Sequence, residues 1–152
     1  MRAVVALAAL LCGAAAAQEL RIVKPALRQY EDGPVMAASQ TLGPGETVFF
    51  SFQVGGYKLS PERRVNLHWS VDVLDSGGVK LVESMEKDLD TDLSAEDKEW
   101  MPIARHTFMI PPIVPPGPYR LVVKVNDKLV GVEAKEEITL TVRGREVAPS
   151  DT

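Results

Sequence analysis

An all-β antiparallel sandwich of about seven or eight strands is what this sequence predicts, and three observations predict it. Apolar and polar residues alternate with a period of two in one segment after another, the signature of strands with one dry and one wet face. Eleven glycines and eleven prolines interrupt 152 residues, which favours many short elements over a few long ones. The single cysteine, Cys12, sits near the N-terminus, so no internal disulfide can form and core packing must carry stability.

The first 17 residues read as a secretory signal peptide. Arg2 supplies a positive charge, residues 3–11 are apolar, and Gly13 and Ala14 to Ala17 are small, which places cleavage after Ala17. The apolar run is shorter than the roughly 20 residues of a membrane span, and no later segment is long and apolar enough for one. Cys12 stands where a lipidated cysteine could, but the residue before it is the large Leu11 rather than a small one. The expected location is therefore periplasmic or secreted, with no integral membrane span after cleavage. The formal charge of −4 argues against nucleic acid as a partner.

The remaining elements follow in order. Residues 18–34 form an N-terminal strand and lead-in, with the strand at 19–24 stopped by Pro25. The sandwich proper is expected over 35–144, with a flexible tail at 145–152. Gly43-Pro44-Gly45-Glu46 is a turn. In 47–54, Phe50, Phe52 and Val54 share one face, and Ser51 and Gln53 the other. In 65–74, Val65, Leu67, Trp69, Val71 and Val73 point one way, and Asn66, His68, Ser70 and Asp72 the other. Ser76-Gly77-Gly78 then turns the chain into a strand at 79–83. Further strands are expected at 105–110, at 119–125 and around Ile138, Leu140 and Val142, with a turn near Asn126-Asp127-Lys128. Segment 84–100 breaks the alternation. Met85, Leu89 and Leu93 are spaced by four, Ser94 offers a cap, and Pro102 bars continuation, so a short helix or turn is expected there.

Three phrases together resemble the immunoglobulin and fibronectin type III superfamily as it occurs in bacterial exported proteins. They are the turn 42–46 leading into VFFSFQV, Trp69 on the inner face of the next strand, and Pro116-Gly117-Pro118-Tyr119 opening a late strand. The resemblance covers roughly 35–142. It implies an immunoglobulin-like sandwich in which the Tyr119 hydroxyl bonds back to upstream backbone as a tyrosine corner. Leu121 occupies the position of one disulfide cysteine of antibody domains, with Phe50 or Phe52 in place of the other, which leans the likeness toward cysteine-free relatives. Such sandwiches host unrelated functions, so the resemblance implies no activity.

Candidate chemistry is sparse. Asp88, Asp90, Asp92, Glu96 and Glu99 fall at calcium-loop spacing, but Leu93 stands where the sharp turn of such a loop calls for glycine. The two histidines, His68 and His106, read as surface or edge residues without zinc spacing. Ser70, His68 and Asp72 would lie side by side on one strand, with nothing to build an oxyanion hole. The proline-rich run 110–118 reads as a stiff crossing between sheets, with Ile113 and Val114 tucked against the sandwich end. Loop 55–64 carries Tyr57, Lys58, Arg63 and Arg64, residue types that recur at binding hot spots and could meet an acidic partner.

The sequence thus predicts an exported, non-enzymatic protein-interaction or structural module of the cell envelope, with an unidentified protein partner and no cofactor. Calcium held by the acidic segment is the alternative. A hydrolase stands third, with no residue set to carry it.

Overall fold

A computed structural model describes residues 19–97 and 99–145. The segment expected to be a signal peptide, Cys12 and the residues beyond Arg145 lie outside the described residues. Seven strands run in the order β1 (Arg21–Arg28), β2 (Thr47–Gly55), β3 (Arg64–Leu74), β4 (Met85–Asp92), β5 (Ile103–Met109), β6 (Gly117–Asp127) and β7 (Val132–Val142). They form two antiparallel sheets, β1-β2-β5 and β4-β3-β6-β7, packed as a β-sandwich. Among the described residues there is no helix, and so none long and apolar enough to cross a membrane.

The alternation read from the sequence is realised in β2 and β3. Val48, Phe50, Phe52 and Val54 of one sheet are buried against Val65, Leu67, Trp69, Val71 and Val73 of the other. Leu121, Val123 and Val125 of β6 complete the floor. Phe52 is the centre of the aromatic packing. Its ring lies 5.6 Å from Phe50, 6.0 Å edge-on from Trp69 and 6.5 Å stacked over His106, geometries that suit aromatic quadrupoles. The tyrosine corner is present: the Tyr119 hydroxyl donates to the Pro115 carbonyl at 2.6 Å. The proline run does cross from β5 in one sheet to β6 in the other. Val114 packs on the core, but Ile113 is 90% exposed and does not tuck in as expected.

Two sequence expectations need correction. The helix or turn expected at 84–100 is a strand over its first half: β4 pairs with β3 from Val71↔Met85 to Arg64↔Asp92. A spacing of four is a multiple of two, so Met85 and Leu89 share a face in a strand as they would on a helix. Only the turn survives, at Ser94, whose hydroxyl donates to Asp97 at 2.8 Å. The strand at 79–83 reduces to a single bridge, Leu74↔Lys80. Asp75 accepts the N–H groups of Gly77 and Val79, both at 2.9 Å, and so ties a local turn. Leu81 still donates its N–H to Val73 at 2.7 Å, and Leu81 and Val82 pack on the core before regular pairing resumes at Met85.

The first strand also runs past its expected stop. Pro25 lies inside β1, where the register shifts between Val23 and Ala26 and Lys24 takes φ 50°. Proline is tolerated there because β1 is an edge strand and the bulge removes it from the ladder. The strand of the lead-in segment therefore belongs to the sandwich. Its start pairs with the end of β2, Arg21↔Gly55. Leu42, fully buried, pairs in parallel with Val142 at the end of β7. The described chain thus enters the sandwich beside Gly55 and leaves it beside Leu42, at opposite ends.

Candidate binding surface

The loop singled out in the sequence, 55–64, lies at the end of the sandwich where the chain enters. Most of its chemistry is spent inside the protein. Gly56 adopts φ 74°, and a side chain there would meet the Glu19 carbonyl at 1.9 Å, so only glycine lets the first residues pass. The Tyr57 hydroxyl donates to the Trp100 carbonyl. Burial pushes that hydroxyl's pKa up, and the charge of Asp97 adds to the rise. The Lys58 N–H donates to Asp127 at 2.7 Å. Arg63, at φ 63°, sends its guanidinium to the carbonyls of Leu93 at 3.3 Å and Ser94 at 2.8 Å. Arg64 pairs with Asp90 at 2.5 Å and Asp92 at 3.6 Å. Tyr57, Arg63 and Arg64 thus buttress the fold by binding the loop to segment 90–100.

What the loop and its partner segment leave open is a cup of about 480 Å³. Tyr57, Leu59, Trp100 and Met101 supply its apolar lining, and Arg21, Lys58 and Glu99 its charged lining. Trp100 remains 38% exposed, a large amphipathic side chain in the wall of the cup. The sequence reading passed over Trp100, Met101 and Arg21. Trp100 stands three residues before β5 with no alternating pattern around it, and that isolation was the available signal.

The acidic set does not form a cage. Asp88, Asp90 and Asp92 are successive outward residues of β4, an extended geometry that spreads their carboxylates along the sheet. Each already faces a basic partner. Asp88 bonds His68 at 2.7 Å and Lys128 at 3.2 Å. These contacts, His68 first, lower the Asp88 pKa, and Arg64 lowers that of Asp90. Glu96 lies in the following turn and Glu99 on the rim of the cup. Among the described residues, no three acidic, histidine or cysteine side chains are grouped to hold a metal ion. Of the triad considered above, His68 points to Asp88, and Asp72 accepts from Ser84, so the set does not assemble.

His106 does lie on an edge strand, β5, but it turns inward rather than to the surface. It lies mid-strand on the inner face of β5 with Ala104 and Phe108, half-buried, and its Nε2 accepts the Trp69 indole N–H at 2.9 Å across the sandwich. That bond requires Nε2 to be unprotonated, with any ring proton on Nδ1. Burial lowers the His106 pKa below its ordinary 6.5, and the charge of Lys87 adds to the effect. The unfolded chain therefore takes up a proton near pH 6.5 that the folded chain refuses. The resulting stability is whole above that pH and declines as pH falls toward the folded pKa. Denaturant titrations at roughly pH 7.5 and 5.5 should show His106→Gln, a non-titrating acceptor, losing less stability on acidification than the natural protein.

Neither a known family model nor a curated protein matches the sequence. Solved structures do match the fold. The alkylpurine DNA glycosylase AlkC of Pseudomonas fluorescens, bound to DNA containing an abasic site analogue, aligns with a TM-score of 0.50 at 14% identity. The match covers 83% of this chain, which spans only 31% of the glycosylase. The CARDB domain of a Pyrococcus furiosus protein in complex with di-metal ions aligns with a TM-score of 0.43 at 15% identity, covering 82% of this chain and 88% of that one. At such identity the glycosylase match speaks to the fold alone.

Proposed function

We propose that this chain is an exported, non-enzymatic interaction module of the cell envelope, and that the end cup around Trp100 is where it grips a protein partner. The exposed Trp100 ring carries the reading. Tryptophan, tyrosine and arginine dominate binding hot spots because they bury large area at little entropic cost, and the cup sets Trp100 beside Tyr57 and Arg21. Its apolar centre flanked by Arg21, Lys58 and Glu99 matches the anatomy of a protein interface. Its lining holds no histidine, cysteine or serine to act as base or nucleophile. Export rests on the order of residues 1–17.

The finer likeness belongs to this reading too. The tyrosine corner and the core Trp69 favour an immunoglobulin-superfamily module. The fourth strand sits beside β3 rather than beside β5, whereas the constant-type immunoglobulin places it in the first sheet. That difference leans the chain toward the fibronectin type III side.

Trp100→Ala provides the test. The hydrogen bonds that tie Trp100 to the fold are both made by its backbone, its carbonyl accepting from Tyr57 and its N–H donating to Asp97, and alanine keeps both, so the substitution should leave the melting temperature within a few degrees. Capture of an envelope partner should weaken some thirtyfold, the loss of about 2 kcal/mol typical of a hot-spot tryptophan. Undiminished capture by a well-folded Trp100→Ala would remove the cup from the reading.

A further inference from the structure

Four strands of this sandwich have an open edge, and three of them carry features that discourage a further strand. β1 is broken by Lys24 at positive φ and by Pro25. β4, MEKDLDTD, and β7, VEAKEEITLTV, are dense in charge. These are the usual guards against edge-to-edge pairing. β5, IARHTFM, has none: Arg105 is its one permanent charge, and Ile103 and Met109 are each 53% exposed.

The backbone of β5 is oriented for pairing. Val54 donates to Pro102 at 3.1 Å, and Ile110 donates to Glu46 at 2.9 Å. Between these bonds Ala104, His106 and Phe108 oppose Phe52, Phe50 and Val48. By antiparallel alternation those residues turn their peptide groups toward β2. Ile103, Arg105, Thr107 and Met109 therefore direct theirs to the free side. β1 runs close to β7 along one flank of the sandwich, while β4 and β5 border the other flank without such an approach.

We propose that the β5 edge takes up an extended segment of a partner protein as an added strand, one that alternates apolar with acidic residues. Its inward side chains fall over the opening between β5 and β4, beside half-buried His106, Met85 and Leu89 with the exposed Lys87 between the last two, and so are mainly apolar. Its outward side chains lie next to Arg105. Among the described residues, Arg105, Arg28 and Lys24 on that sheet make no ion pair with any acid. Glu31 and Asp32 line the same hollow as these three cations and offset part of their charge, but Arg105, on the free-edge strand itself, still favours acidic neighbours. It also disfavours a second copy of this chain, because two β5 strands paired about a two-fold axis would bring both Arg105 side chains onto one face. The proposal rests on the reading of the chain as an interaction module and is independent of the Trp100 cup.

The test is a titration of the isotopically labelled protein, followed by amide NMR, with a short peptide alternating valine and glutamate. The amides of Ile103, Arg105, Thr107 and Met109 should shift and gain protection from exchange. N-methylating one alternate set of peptide amides should abolish binding, while methylating the other set should leave it intact. A valine–lysine peptide should bind about tenfold more weakly, and Arg105→Glu should reverse that preference. Thr107→Pro removes a free-edge N–H without touching the β2 ladder; it should abolish peptide binding while partner capture through the cup persists. Trp100→Ala should bind the peptide as the natural protein does. Absence of binding, equal binding by both methylated peptides, or shifts confined to the cup would overturn the proposal. So would self-association without peptide that Thr107→Pro removes, since the occupant would then be a second copy.

Discussion

Phe52→Ala should cost about 3–5 kcal/mol of folding stability, the range for deleting a buried phenylalanine. Phe52 is 1% exposed and meets Phe50, Trp69 and His106. Its removal leaves a void that three rings border, and rings collapse into a void less readily than flexible side chains. With no disulfide among residues 19–145 to restrain the unfolded chain, the whole loss appears in the equilibrium. For a domain of this size the melting temperature should fall by roughly 15 °C. Thermal unfolding followed by near-ultraviolet circular dichroism would measure it. A fall of only a few degrees would show that the aromatic cluster repacks and is not the centre of the core.

Asp127→Ala should be nearly as damaging, for a different reason. Asp127 is the one buried charged residue among those described, at 1% exposure. One carboxylate oxygen accepts the Lys58 N–H at 2.7 Å and the other the Leu129 N–H at 3.1 Å. Alanine leaves both donors without their partner, and each loss costs about 1–3 kcal/mol. Asp127→Asn keeps one acceptor oxygen and should lose about half as much. Urea titration of both variants would rank them. Equal destabilisation by alanine and asparagine would mean that the carboxylate's charge, rather than its two acceptors, holds the loop.

The sheets were legible where parity alone decides burial. β2 and β3 alternate strictly in the sequence, and every inward residue named from 50 to 73 is buried. The tyrosine corner was legible because proline and glycine fix the approach to Tyr119. β4 was not, because a repeat of four satisfies both a helix and a strand, and its outward acids resembled a metal loop until β3 supplied their basic partners. His106 shares parity with Ala104 and Phe108, a signal outweighed by the habit of placing histidine outside. The loop residues Tyr57, Arg63 and Arg64 stand out in the sequence as binding candidates, whereas the structure engages their side chains within the protein. Their partners at 90–100 lie between 26 and 43 positions away, a separation over which sequence pattern carries no information. Trp100 and Leu42 were missed because single residues outside strands have no periodicity to betray them.

The described chain begins beside Gly55 and ends beside Leu42, and this polarity has a practical meaning. A carrier or fluorophore joined after Arg143 hangs from the pole remote from Trp100 and leaves the cup free to be approached. The same cargo joined ahead of Glu19 sits at the cup's mouth and competes sterically with whatever docks there. On the proposed reading of the cup, the sandwich has a front and a back, and immobilisation by the pole beside Glu19 would hide its front.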